Sequence, residues 1–249
     1  MGIIFAGATD IGRKRKSNQD SICLDPKHLF FAVADGMGGH NGGDIASQLS
    51  TSIMPNYLAQ STEKDDGQLM NNLIQSINSA ILKKAEEVPE LHGMGTTVSA
   101  IKFSGANLII GNVGDSRVYM INNSHIYQLT RDHSFVQEKL NMNIYSREDA
   151  AKDPQKNVLV RSVGFEQDLQ VDVFTYRISK NDIFIICSDG LHGKVSDADI
   201  LEIVRRHVKD PSQCTKSDVE KLVHALIHQA NENGGQDNIS VIVVVAQNP

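Results

Sequence analysis

Leu29-Phe30-Phe31-Ala32-Val33-Ala34-Asp35-Gly36 is the stretch on which the fold turns. An apolar run this short, rich in aromatic and β-branched side chains and closed by Asp-Gly, predicts a buried strand that ends on a carboxylate. The same grammar recurs at Asn112-Val113-Gly114-Asp115-Ser116, Ile186-Cys187-Ser188-Asp189-Gly190 and Gly235-Gln236-Asp237-Asn238-Ile239. Taken singly, each is a turn, because glycine accepts positive φ and aspartate bonds to nearby backbone. Taken together, four carboxylates at the ends of buried strands gather negative charge at one sheet edge. Their repulsion is costly unless cations compensate it, so a metal cluster is the economical explanation.

The donor types narrow the ion. Carboxylates without paired cysteines or a histidine pair suit Mg²⁺ or Mn²⁺, which keep several waters, and disfavour zinc. The candidate ligands come from distant parts of the chain, and no Asp-rich loop of EF-hand spacing is present. A dispersed site of this kind implies a catalytic pocket. Two hard ions ~4 Å apart activate a shared water and stabilise the attacking and leaving oxygens of phosphoryl transfer, so hydrolysis of a phosphate ester is the natural reaction.

Working outward from 29–34, further strands are predicted over 3–8, 96–103, 107–113, 117–121, 182–187 and 239–246. Helical spacing links Ile45, Ala46, Leu49 and Ile53, and then Met70, Leu73, Ile74, Ile77, Ile81 and Ala85. Two later helices are expected over 197–208 and 218–233, each opening with an aspartate suited to capping. Strands in blocks, joined by turns at 104–107 and 122–124, favour antiparallel pairing and an α+β layered sandwich over repeated βαβ units. Residues 141–161 are polar and poorly periodic, and a stretch of that length in a compact domain reads as a candidate flap beside a site.

The 249 residues contain no linker-like stretch, so a single domain spanning 1–249 is expected. With 40% hydrophobic and 22% charged residues, the chain is composed for a folded core rather than for disorder. A formal charge of −6 and the absence of tryptophan argue against nucleic acid and anionic membranes as partners. Cys23, Cys187 and Cys214 lie in no ligand spacing and are odd in number, which fits a reducing cytoplasm. No apolar run approaches the roughly 20 residues that span a bilayer. A cytoplasmic monomer is the expectation.

Several ordered motifs then resemble the type 2C family of metal-dependent protein phosphatases in its compact bacterial form. They are Thr9-Asp10-Ile11-Gly12, Arg15-Lys16-Ser17-Asn18-Gln19-Asp20, Asp35-Gly36-Met37-Gly38-Gly39-His40, Gly95-Thr96-Thr97, Gly114-Asp115-Ser116-Arg117, Ser188-Asp189-Gly190-Leu191 and Asp237-Asn238. The match runs almost end to end, and ordered motifs are more specific than any one glycine-rich loop. The resemblance implies a four-layer α-β-β-α arrangement, an antiparallel β-sandwich flanked by helix pairs, with the metals at one end of the strands. It implies that Asp35 bridges two divalent cations, that the Gly36 carbonyl binds one, and that Asp189 and Asp237 bind the other. A water or hydroxide bridging the metals is then the nucleophile that hydrolyses phosphoserine or phosphothreonine in proteins. Asp20 orients metal-bound water, Asp115 with Asp189 matches a third metal site, and Arg15 matches the arginine that grips phosphate. A planar guanidinium suits that role through two parallel hydrogen bonds. The substrates implied by the resemblance are targets of a serine/threonine kinase, with the kinase itself among them.

Many eukaryotic relatives place a histidine after the bridging Asp-Gly, where this chain has Met37. The proton donor is therefore open between metal-bound water and His40. His192 is read as facing solvent or touching the metal shell, with the solvent-facing reading favoured, and His133 as structural. Met94 and Met142 are read as packing or surface residues. Two other functions compete. One is a phosphatase dedicated to a single phosphoserine regulator, such as an anti-sigma-factor antagonist. The other is a non-catalytic phosphoprotein-binding module, which is expected to have lost an aspartate that this chain keeps.

Overall fold

The computed structural model describes the backbone of residues 2–122 and 125–248, and the side chains of 39–41, 147, 148, 151 and 248 lie outside the described set. In chain order come β1 (Gly2–Asp10), β2 (Asp20–Asp25), β3 (Phe30–Met37), α1 (Gly39–Gln60) and α2 (Asp66–Glu87). The middle of the chain supplies β4 (Gly95–Thr96), β5 (Val98–Ser104), β6 (Asn107–Val113), β7 (Arg117–Asn122), β8 (His125–Gln128), α3 (Phe135–Asn141) and α4 (Arg147–Lys152). Last come β9 (Asp172–Arg177), β10 (Ile183–Cys187), α5 (Asp189–His192), α6 (Asp197–His207), α7 (Lys216–Glu232) and β11 (Ile239–Asn248).

β3 explains the layering. Its side chains alternate between two cores, Phe30 and Ala32 facing helices and Phe31 and Val33 facing the opposite sheet. A strand buried on both faces carries no polar alternation, which is why 29–34 is an unbroken apolar run. One antiparallel sheet runs β2-β3-β5-β6-β9, with β4 added to β3, and the other runs β1-β11-β10-β7-β8. Between them lies a core that includes Phe31, Phe103, Val118, Phe184 and Ile242. Outside one sheet pack α1 and α2, through residues such as Met54, Met70 and Ile77. Outside the other pack α6 and α7, through Ile200, Val204, Leu222 and Leu226. The α-β-β-α order and the α+β class expected from the motifs are what the chain adopts. Each fully buried phenylalanine, Phe30 and Phe31 among them, stabilises the stack by roughly 2 kcal/mol relative to exposure.

The differences from the sequence reading have local causes. The strand predicted over 96–103 is split at Thr97, whose N–H donates to the Asp35 carbonyl at 2.8 Å while its Oγ1 accepts from the Asp35 N–H at 3.0 Å. Unpredicted strands β2, β8 and β9 are short and carry polar or exposed residues, so their apolar signal is weak. The turn at 104–107 forms, with Gly105 at φ 54°. The turn expected at 122–124 includes residues 123 and 124, which lie outside those described. Aspartates do not cap the late helices. Ser196 caps α6, and Thr215 caps α7 in a reciprocal box with Asp218, because the hydroxyl one turn earlier reaches the free N–H groups. Residues 141–161 are not structureless, since they hold α4 with its own box between Ser146 and Asp149. Backbone bonds from Phe135 to Val158 and from Val160 to His133 tie the base of this lobe.

Thr215→Ala removes a capping hydroxyl and leaves the Asp218 N–H without its side-chain partner. A stability loss of about 1 kcal/mol is expected in denaturant unfolding, with the core packing intact.

Candidate metal centre

Antiparallel register between β2 and β3 sets Asp20 directly opposite Asp35. The backbone around Asp35 is fixed by Thr97 and by Thr96, whose Oγ1 donates to the Asp35 carbonyl at 2.9 Å. Gly36 follows where α1 and the Gln19 segment close in, and a Cβ there would lie 1.9 Å from the Gly43 carbonyl oxygen. Only glycine fits, so the chain's backbone, rather than a side chain, faces the cleft at this point. Asp115 follows β6 through Gly114, whose φ of 106° turns the strand end. The His133 ring accepts from the Gly114 N–H at 3.1 Å and holds that turn. Asp189 opens α5 at the end of β10, and Asp237 precedes β11. Arg15, Asp35, Gly36, Asp115, Asp189 and Asp237 thus line one cleft of about 590 Å³.

The electrostatics of this cleft are those of crowded carboxylates. Burial, and then Asp20, Asp189, Asp115 and Asp237, push Asp35 well above the usual carboxylate range. Burial is also the leading cause of raised values at Asp20, to about 6, at Asp115, to about 7, and at Asp189, to about 8. Ser188 Oγ donates to Asp20 Oδ2 at 2.7 Å, but Asp20 Oδ1 and Asp189 Oδ1 are buried without a hydrogen-bond partner. Buried carboxylate oxygens left bare in this way are what a hard cation binds, so the donor set fits Mg²⁺ or Mn²⁺. Among the described residues no three His, Cys, Asp or Glu side chains close into a metal cage. Few protein donors per ion suit cations that retain water.

Arg15 reaches Asp237, with Nη2 2.6 Å from Oδ2, and both sit at the exposed rim. The two residues to which the resemblance gives separate tasks, phosphate and metal, are an ion pair here. Asn238, named only as part of a motif, staples the loop that carries Arg15. It accepts from the Gln19 N–H at 2.8 Å and donates to the Ile11 and Ser17 carbonyls at 2.9 and 3.0 Å. Its fixed place beside Asp237 was the only signal available in sequence. Ser188 and Thr97 are supporting residues of the same kind, and no local pattern marks them. His192 departs from the favoured solvent-facing reading. Its Nε2 donates to the Asp115 carbonyl at 3.0 Å, and burial followed by nearby Arg117 lowers its pKa to about 3. The neutral ring therefore buttresses the Asp115 backbone. His133 is structural, and Met94 is fully buried while Met142 is 67% exposed. The His40 side chain lies outside the described residues.

A helix-flanked sandwich that presents clustered carboxylates at its strand ends defines a divalent-cation-binding protein of the phosphoryl-transfer kind. The family model for protein phosphatase 2C matches residues 9–237, and the chain belongs to that family. The serine/threonine phosphatase stp of Listeria innocua is 36% identical over 243 residues, covering 95% of this chain and 93% of that protein. The crystal structure of the serine/threonine phosphatase Stp1 from Staphylococcus aureus superposes with a TM-score of 0.88 at 30% identity, covering 100% of this chain and 96% of that one. The catalytic domain of the serine/threonine protein phosphatase PstP, solved in complex with two manganese ions, gives 0.85 at 32% identity, with 99% of each chain covered.

Raised carboxylate values mean that the folded chain binds more protons than the unfolded chain, so stability falls as pH rises through them. His133 and His192, lowered by burial, slope the other way only up to the ordinary histidine value of 6.5. Cation-free protein is therefore expected to lose stability between about pH 6.5 and pH 8, through Asp115 at about 7 and Asp189 at about 8. Saturating Mg²⁺ or Mn²⁺ is expected to flatten that decline. Urea unfolding at several pH values, with chelator and with cation, checks both; a profile unchanged by cation contradicts a carboxylate metal site.

Proposed function

We propose that this chain hydrolyses phosphoserine and phosphothreonine in proteins with the help of two divalent cations, Mn²⁺ or Mg²⁺. The observation that carries the reading is the cluster of Asp20, Asp35, Asp115, Asp189 and Asp237, with buried carboxylate oxygens left unpartnered beside an arginine. Asp35 and the Gly36 backbone, with Asp189 and Asp237, are the residues that would hold the two ions, and Asp115 with Asp189 would hold a third. When bound, the ions supply activation of a water nucleophile and neutralisation of charge on the phosphoryl oxygens. Arg15 leaves its rim pairing with Asp237 to donate to phosphate, which confines that exchange to the cleft mouth. Asp20, anchored through Ser188, orients water by its remaining oxygen.

Asn157, Leu159, Val160 and Arg161 contribute to the cleft wall, which supports the reading of 141–161 as a flap. The substrates are proposed to be cytoplasmic targets of a serine/threonine kinase. No described helix is long and apolar enough to cross a membrane, and the enzyme is proposed to act as a monomer. Retention of every candidate aspartate favours catalysis over a binding-only role.

Release of phosphate from a phosphothreonine peptide is expected to require Mn²⁺ or Mg²⁺, to vanish with chelator and to fall by orders of magnitude in Asp35→Asn. Retained turnover in that variant would sink the cluster mechanism. Arg15→Ala is expected to raise KM more than it lowers kcat, because it removes a phosphate contact and leaves the carboxylate cluster in place.

A further inference from the structure

Phe165 lies on the wall of the catalytic cleft, yet it is 56% exposed. Its backbone is pinned from both sides. Val163 and Thr96 exchange two backbone hydrogen bonds at 2.9 Å, and the Gly164 N–H donates to Asn78 Oδ1 at 2.7 Å. Asn78, buried on α2, also donates to the Glu166 carbonyl at 2.7 Å, so the turn is tied to the helix layer. One side of the Phe165 ring rests on Gly95, where an added Cβ would come within 2.9 Å of the ring carbons. Val160, 41% exposed, also lines the cleft.

A large aromatic side chain held rigid against a glycine and facing water is well suited to binding, because little further ordering is needed when a partner covers it. The cleft, at about 590 Å³, has the size of sites that enclose a drug-sized ligand. It exceeds one phosphorylated side chain. Arg15 and the aspartates form its polar part, so the peptide that carries the phosphate runs on along the apolar wall. Glu166, also on the cleft lining, disfavours an acidic side chain at that flank, and Arg161 on the same lining is already paired with Asp172.

We propose that Phe165 and Val160 form a subsite for an apolar side chain flanking the phosphorylated residue of the substrate. This rests on the phosphatase reading above and adds a substrate preference to it. The test is steady-state kinetics, with Mn²⁺, on phosphothreonine peptides that differ only in carrying Leu or Ser at flanking positions on either side. Unaltered protein is expected to favour Leu at one flank by about tenfold in kcat/KM, the yield of partly burying one apolar side chain, and to do so through KM. Phe165→Ser is expected to reduce that preference to about twofold or less. Tyr127→Ser, which removes a 50% exposed aromatic outside the cleft, is expected to leave it unchanged. Equal rates for Leu and Ser peptides in the unaltered protein overturn the subsite. So does a Phe165→Ser variant that slows all peptides by one factor. If no peptide is hydrolysed at all, the phosphatase reading falls first and the subsite with it.

Discussion

Mutual repulsion among aspartates in a cleft shielded from water is the constraint on which the rest of the structure depends. Asp35 feels four other carboxylates, and burial leaves little solvent to screen them. The groups that hold these residues in place are mostly neutral: Thr97 on the Asp35 backbone, Ser188 on Asp20, and the Asn238 N–H on Asp237. Neutral donors position carboxylates without cancelling their charge. Arginine reaches the cluster only at its margins, through Arg15 on Asp237 and the nearby charge of Arg117. The net charge is thus left for cations, and the scaffold spends its packing energy on keeping like charges together.

That scaffold works because β3 is buried on both faces. A strand that packs against helices on one side and a second sheet on the other has almost no freedom to slip, since a one-residue shift would exchange its two side-chain sets. Asp35 inherits this rigidity. The Gly36 backbone is clamped where α1 and the Gln19 segment meet, and no side chain larger than hydrogen fits there. The rim is different in character. Arg15 is half exposed, and the lobe over 141–161 is tied mainly by backbone bonds at its base and by the polar contacts of Lys139, Tyr145 and Asp153. Fixed charge thus lies on the cleft floor, and the residues proposed to meet the substrate lie at its rim and walls.

Much of this was legible in the chain itself. Unbroken apolar runs such as 29–34 declare strands hidden on both sides, and the Asp just past 29–34, 107–113 and 182–187 declares where charge collects. The order of motifs from Thr9 to Asn238 carried the family. Less legible were β2, β8 and β9, whose short and partly exposed sequences carry little periodicity. Caps were displaced by a residue or more because Ser and Thr at 196 and 215 precede aspartates that look equally suitable on paper.

By itself, then, the sequence determined the layer architecture and the identity of the clustered aspartates, because burial pattern and residue chemistry are local properties. Tertiary structure alone decided who meets whom. Strand register set Asp20 against Asp35, and the chain folds so that Arg15 lands on Asp237, 222 positions further along. Packing turned His192 inward to the Asp115 carbonyl and left Phe165 facing the cleft. Pairings across such distances depend on the geometry of the whole sandwich, and no window of sequence contains them.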